Sequence, residues 1–252
     1  CYREMYHGIG YTVHMIGIFD SGIGGLTVVR ALRAARPDLS YVYLGDTARA
    51  PYGTKSPETI RRYAEDCADF LLSKGAKAVV IACNTASSLA SEHLRARHPE
   101  LPIFEVVGPA VRAALAVSST KRIGLIGTRA TVGSGMYEKM LKAADPSVEV
   151  VARHAQLLIS LVEEGWADEP ETSSVVAKYV APIREAGVDA LILGCTHFPI
   201  LKPQIAVMMG EGVALIDSAE AVVAEFRATL EKDAALEASL DRSGSASYFV
   251  TD

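Results

Sequence analysis

The sequence predicts an α/β protein with two similar domains, each a parallel β-sheet flanked by helices. Short β-branched runs alternate with longer amphipathic stretches from Met15 onward, which is the pattern of βαβ units. The same order of elements starts again after Pro109, and each half contains a buried strand that ends on a cysteine, Cys83 or Cys195. A chain of 252 residues that is 50% hydrophobic can bury the core that such a fold requires.

The first half is expected to contain four strands, in MIGIFD, YVYLGD, AVVIAC and PIFEVV. Amphipathic helices are expected between them, in GGLTVVRALRAARP, SPETIRRYAEDCADFLLSKG and ASSLASEHLRARH. Pro37 ends the first helix, and Ser56 followed by Pro57 is a typical start for the second. Crossovers of this length are right-handed and leave the strands parallel.

The second half repeats this order. The segment KRIGLIGTRATVGSGMYEKML matches MIGIFDSGIGGLTVVRALR, and VDALILGCTHFP matches AKAVVIACNTAS as strand, cysteine and polar turn. Cys83 follows Ile18 by 65 positions, and Cys195 follows Leu125 by 70. The agreement predicts two domains related by a pseudo-twofold axis, with the active site at their interface.

The repeat also predicts the domain bounds. Residues 15–107 together with 209–252 form the first domain, to which VALIDSAEAVVAEFRATL returns, and residues 108–208 form the second. Residues 1–14, CYREMYHGIGYTVH, show no clear period. We therefore expect them to be an extension or a tag-like segment outside the fold.

Composition excludes several classes of function. The net charge is −5 and no basic run is present, so we expect no nucleic-acid partner. No apolar stretch approaches the roughly 20 residues that span a bilayer, and the N-terminus lacks a signal-peptide pattern. We therefore expect a cytoplasmic protein that does not bind a membrane.

The cysteines predict reduced thiols rather than a metal site or a disulfide framework, because they are far apart and form no CxxC pair. Cys67 shares one helical stripe with Ile60 and Leu71, so we interpret it as a packing residue. Cys83 and Cys195 instead end matching strands, where parallel sheets bind their ligands. They are the candidate functional thiols.

Two thiols on opposite faces of a stereocentre can invert it. One removes the acidic hydrogen as a thiolate, and the other returns a proton as a thiol. An ordinary cysteine pKa of about 8.5 requires a helper for this task. Asp20 ends the first strand in the same half as Cys83, and His197 follows Cys195 by two residues.

From Met15 to the C-terminus the sequence resembles the glutamate racemases of the aspartate/glutamate racemase superfamily. The segments that show this, in family order, are GIFDSGIGGLTV, YLGDTARAPYG, ACNTAS, GLIGTRATV, LVEEG and LGCTHFP. The resemblance implies interconversion of L- and D-glutamate without a cofactor or a metal, and supply of D-glutamate for peptidoglycan. It also implies a homodimer.

The catalytic residues implied by the resemblance are Cys83, Cys195, Asp20, His197 and Glu163. Cys83 would serve the D-enantiomer and Cys195 the L-enantiomer, while the adjacent Glu164 leaves the register of the further acid open. The implied substrate contacts are Asp20, Ser21, Pro51, Tyr52, Gly53, Asn84, Thr85, Thr128, Thr196 and His197. The sequence departs from the family at Phe198, where Tyr is usual, at Ala50, and in ending at YFVTD.

Other functions stay open at this point. The same chemistry on aspartate depends on loops whose shape the sequence does not give. A binding protein or a thiol-based redox protein is a further hypothesis, and the absence of a CxxC motif disfavours the redox protein. A pyridoxal-phosphate racemase is a third hypothesis, disfavoured because Lys74 and Lys77 are at a helix C-terminus rather than at a strand end. A nucleotide loop starting at Gly22 would need glycine where Thr27 stands.

Overall fold

The computed structural model describes residues 2–4 and 14–252. Its strands are β1 (Tyr2–Glu4), β2 (Met15–Asp20), β3 (Tyr41–Gly45), β4 (Ala76–Ile81), β5 (Ile103–Glu105), β6 (Arg122–Gly127), β7 (Glu149–His154), β8 (Ala190–Gly194), β9 (Ala214–Asp217) and β10 (Ala246–Thr251). They form two sheets flanked by helices, so the predicted α/β class is confirmed.

The helices alternate with these strands along most of the chain. They are α1 (Leu26–Ala35), α2 (Pro57–Ser73), α3 (Asn84–Arg97), α4 (Val107–Val117), α5 (Arg129–Gly133), α6 (Met136–Ala144), α7 (Gln156–Glu163), α8 (Pro170–Glu185), α9 (Lys202–Met209), α10 (Ser218–Lys232) and α11 (Ala234–Ser239). Short 3-10 turns are formed by Thr47–Arg49, Tyr52–Thr54 and Phe198–Leu201. The Ser56 hydroxyl accepts a hydrogen bond from the Thr59 amide and caps α2, as its sequence predicts.

The two sheets have the same internal topology. The first has the strand order β1-β10-β3-β2-β4-β5 and the second β7-β6-β8-β9. The run β3-β2-β4-β5 matches β7-β6-β8-β9 strand for strand, and all of these pairs are parallel. Cys83 follows β4 and Cys195 follows β8, so the two cysteines occupy equivalent places in the repeat.

Helices cover both faces of each sheet, which explains why the central strands are continuous apolar runs. On one face of the first sheet, Ile18 and Val80 pack in a core with residues of α1 and α10. On the other face, Phe19 and Ile81 pack with residues of α2 and α3. The second sheet is covered in the same way by two further cores.

The predicted return to the first domain at residue 209 is wrong. β9 pairs in parallel with β8 through backbone hydrogen bonds, so it belongs to the second sheet. The return comes with α10, which packs against α1 and places Phe226 4.9 Å from Phe104, ring centre to ring centre. The run VALID in the sequence therefore completes the second repeat before the chain crosses back.

The exclusion of residues 1–14 from the fold also needs correction. Within that segment, β1 pairs in antiparallel register with β10, and the His14 carbonyl accepts a hydrogen bond from the Asp241 amide. Cys1 and residues 5–13 lie outside the described residues. No helix in the described part of the chain has the length and apolar composition to cross a membrane.

Candidate active site

A small cavity lies where the carboxyl ends of the two sheets meet. This is the position at which open α/β sheets bind ligands. The predicted residues that line it are Ser21, Pro51, Tyr52, Gly53, Cys83, Asn84, Thr85, Thr128, Glu163, Cys195, Thr196 and His197. Both thiols therefore reach one cavity, each from its own repeat.

Cys83 is the N-cap residue of α3. Its Sγ accepts a hydrogen bond from the Ala86 amide at 3.5 Å and lies 3.6 Å from the Ser21 hydroxyl. Burial and, after it, the neighbouring Asp20 charge raise the pKa of the Cys83 thiol to about 11, although the Ala86 and Ser21 contacts oppose the rise. The thiol is held protonated beside groups that can stabilise its thiolate.

Asp20 does not line the cavity, although it was predicted as a substrate contact, but its charge acts on the Cys83 thiol. It is fully buried at the end of β2, and it accepts hydrogen bonds from the Gly22 amide at 3.0 Å and the Thr196 hydroxyl at 3.4 Å. Burial raises the pKa of its carboxyl, against the charge of His197 and the amides of the following turn. In this position Asp20 contacts groups from both repeats.

Cys195, His197 and Glu163 form a row of polar groups in the second repeat. Its Sγ lies 3.6 Å from His197 Nδ1, and His197 Nε2 lies 3.1 Å from Glu163 Oε1. Burial raises the pKa of the Cys195 thiol, and the His197 backbone amide lowers it only in part. Glu163 lines the cavity and contacts His197, whereas Glu164, the C-cap residue of α7, does not line it.

Buried hydrogen bonds hold the PYG segment, residues 51–53, in place. The Tyr52 hydroxyl donates a hydrogen bond to Asp46, which also accepts from Arg49 Nε at 2.7 Å and from the Thr251 hydroxyl at 2.9 Å. Asp46 is fully buried, so these donors together satisfy its charge. The following Gly53 can then approach the second repeat without a side chain in the way.

Hydroxyl groups from both repeats meet beside Gly53. The Thr85 hydroxyl lies 2.9 Å from that of Thr128, and both contact Thr131. Thr128 also caps α5 by accepting from the Thr131 amide at 3.0 Å. This cluster offers hydrogen-bond donors to a carboxylate, and it joins the start of α3 to the start of α5.

Two residues of α7 in the cavity wall were not predicted. Gln156 and Ile159 line the cavity, and the Gln156 Oε1 atom is buried with no hydrogen-bond partner among the described residues. Both lie one to two turns before Glu163 in the sequence. A helix that presents Glu163 to the site was the signal that could have indicated them, since residues three, four and seven apart share a face.

The fold and the site define an α/β protein in which two repeats place paired buried thiols on a shared cavity. The model of the family described as Asp/Glu/Hydantoin racemase matches residues 26–226. The chain therefore belongs to the Asp/Glu/Hydantoin racemase family, which confirms the resemblance inferred from the motifs.

Among its relatives, the glutamate racemase of Geobacter metallireducens is 46% identical over 94% of this chain and 87% of that protein. The structure of a glutamate racemase from Francisella tularensis in complex with D-glutamate is 34% identical, with a TM-score of 0.86 over 96% of this chain and 89% of the other. The Thermus thermophilus enzyme bound to β-chloro-D-alanine is 43% identical, with a TM-score of 0.83 over 96% and 90% of the two chains.

Proposed function

We propose that this protein is a glutamate racemase that interconverts L- and D-glutamate through Cys83 and Cys195, without an organic cofactor or a metal. The observation that supports this most strongly is the pair of buried thiols, one from each repeat, lining one cavity. The proposal also rests on family membership and on relatives named glutamate racemases at 46% identity.

The reaction is a proton transfer across the α-carbon. With D-glutamate bound, the Cys83 thiolate removes the α-hydrogen, and the Cys195 thiol protonates the opposite face. The reverse reaction exchanges the two states. Racemisation leaves the thiols in the opposite protonation pattern, so a proton must return between turnovers.

Forming the thiolate is the costly step, because burial raises the pKa of both thiols. Each thiol has its own proton acceptor. The buried Asp20 carboxylate is close enough to Cys83 for its charge to act on that thiol, and His197 Nδ1 lies 3.6 Å from Cys195 with Glu163 orienting the other ring nitrogen. These residues would take the proton while the substrate is held in place.

The cavity wall matches an amino acid with two carboxylates. Ser21, Asn84 and the Thr85–Thr128 cluster supply neutral donors, and the further hydroxyl is that of Thr196. Glutamate rather than aspartate is supported by relatives that are named glutamate racemases at 42–46% identity. Homodimer formation, a cytoplasmic location and supply of D-glutamate for peptidoglycan complete the proposal and rest on the family resemblance.

The test is proton NMR of D-glutamate in deuterated buffer with the purified protein and no added cofactor, with optical rotation measured in parallel. We expect the α-proton signal and the rotation to decay together. An unchanged α-proton with folded protein would refute the glutamate proposal, and the same assay with L-aspartate would measure the rival substrate.

Single substitutions test the role of each thiol. Cys83→Ser and Cys195→Ser should each lower racemisation by about 10²- to 10⁴-fold, because a serine hydroxyl is a far weaker base. Cys67→Ser is the matched control, since Cys67 is equally buried but lies outside the cavity. Near-normal turnover by either cavity variant would contradict the two-thiol mechanism.

A further inference from the structure

A chain of hydrogen bonds holds the side chain of Asn84 at the edge of the cavity. The Tyr137 hydroxyl donates to Asn84 Oδ1 at 2.6 Å, and Asn84 Nδ2 donates to the Ser218 hydroxyl at 3.3 Å. The Ser218 hydroxyl in turn donates to the Leu193 carbonyl at 3.2 Å. Asn84, Tyr137 and Ser218 are each no more than 2% exposed.

The chemistry of these groups is consistent with the direction of every bond. A backbone carbonyl only accepts hydrogen bonds, so the Ser218 hydroxyl donates its single proton to the Leu193 carbonyl and accepts a hydrogen bond from Asn84. The Asn84 atom that faces Ser218 is therefore the amide nitrogen, and the oxygen faces Tyr137. With the amide turned over, the Ser218 hydroxyl could donate to the Asn84 oxygen only by giving up its hydrogen bond to the Leu193 carbonyl.

The described residues provide no partner for the second N–H of Asn84 Nδ2. Asn84 lines the cavity and is only 2% exposed. An amide N–H in such a position is a donor for a carboxylate oxygen. Burial keeps the pKa of Tyr137 well above its ordinary value, so its hydroxyl remains a donor throughout the working pH range.

We propose that Tyr137 and Ser218 are positioning residues, which hold the Asn84 carboxamide so that its remaining N–H binds a carboxylate of the substrate. This rests on the proposed glutamate racemase function. Neither residue lines the cavity. Both act on the substrate only through Asn84.

The same bonds connect the two repeats. Asn84 begins α3 after Cys83, whereas Tyr137 belongs to α6 and packs in a core of the second sheet. Ser218 begins α10, where the chain crosses back, and Leu193 lies two positions before Cys195 in β8. The donor for the substrate is thus oriented only when the halves that supply the two thiols are together.

The test is a double-mutant cycle on the steady-state constants for both enantiomers. Tyr137→Phe should raise KM for L- and D-glutamate by about 10-fold with kcat within about threefold, because it removes a contact made equally in the ground state and the transition state. Ser218→Ala should act in the same direction. Tyr179→Phe is the control, since Tyr179 packs on the opposite face of the second sheet.

Asn84→Ala alone and with Tyr137→Phe completes the cycle. If Tyr137 acts through Asn84, the double variant should be no worse than Asn84→Ala, whereas independent structural damage would add. Additive effects, or an unchanged KM in Tyr137→Phe, would overturn the inference while wild-type racemisation stands. Absence of racemisation by the wild type would instead refute the proposed function, and the inference with it.

Discussion

Replacing Gly53 by alanine tests how closely the two repeats must approach. A Cβ on Gly53 would lie 2.7 Å from Thr128 Cβ and 3.1 Å from Gln156 Oε1. Carbon atoms in ordinary contact are about 3.5–4.0 Å apart, so Gly53 or Thr128 must move by about 1 Å. Gly53 belongs to the first repeat and Thr128 to the second, so the strain falls on the interface that forms the cavity.

A displacement of this size in a positioned site costs about 10²-fold in rate. We therefore expect kcat/KM of Gly53→Ala to fall by about 100-fold, measured by the decay of optical rotation of D-glutamate. The melting temperature should change little, because the repeats can separate slightly without opening either core. Differential scanning calorimetry measures that part of the prediction.

Gly133→Ala is the matched control. Gly133 ends α5, the helix that Thr128 caps, and a Cβ there meets nothing within 4 Å. It should keep wild-type kcat/KM. Wild-type activity in Gly53→Ala would refute the claim that the Gly53–Thr128 contact sets the geometry of the cavity.

Two further predictions concern ionisation. Since burial raises the pKa of Cys83 to about 11, only about 0.1% of this thiol is ionised at pH 8. The rate at which iodoacetamide alkylates Cys83, measured by peptide mass spectrometry, should therefore rise steadily with pH. A plateau in this rate below pH 9 would contradict the prediction. Although partial burial opposes it, hydrogen bonds from Ser118, Ser119 and Thr120 lower the pKa of Asp189. A carboxylate whose pKa is lowered in the folded state stabilises that state above the unfolded-state pKa, and this contribution is lost as the pH falls. Asp189→Asn should therefore lower the free energy of unfolding, measured in urea, by about 1–2 kcal/mol at pH 7 and by much less in acid. An equal loss at both pH values would contradict this role of Asp189.

The fold was predictable from sequence because its signals are local. β-branched runs bounded by capping residues specify the central strands, and the repeat specifies which of them are equivalent. The bounds at the chain ends were not predictable in this way. β10 pairs with β3 across about 200 positions of sequence, and VALID has the same apolar pattern in either sheet.

The site was predictable where strand ends converge, as at Cys83 and Cys195. The part of the site formed by α7 was less predictable, because the orientation of this helix depends on tertiary packing. Gln156 and Ile159 reach the cavity for that reason and were not found. Adjacent glutamates point about 100° apart on a helix, so the structure distinguishes Glu163 from Glu164 while the pattern LVEEG does not.

The central claim is that two different groups handle the proton on the two faces of glutamate. The most direct test is the initial-rate position of deuterium when D-glutamate is converted in deuterated buffer, measured by mass spectrometry after separation of the enantiomers. We expect deuterium in the newly formed L-glutamate and ordinary hydrogen in the remaining D-glutamate. Equal early labelling of the remaining D-glutamate would mean that one group serves both faces, and would contradict the assignment of one thiol to each.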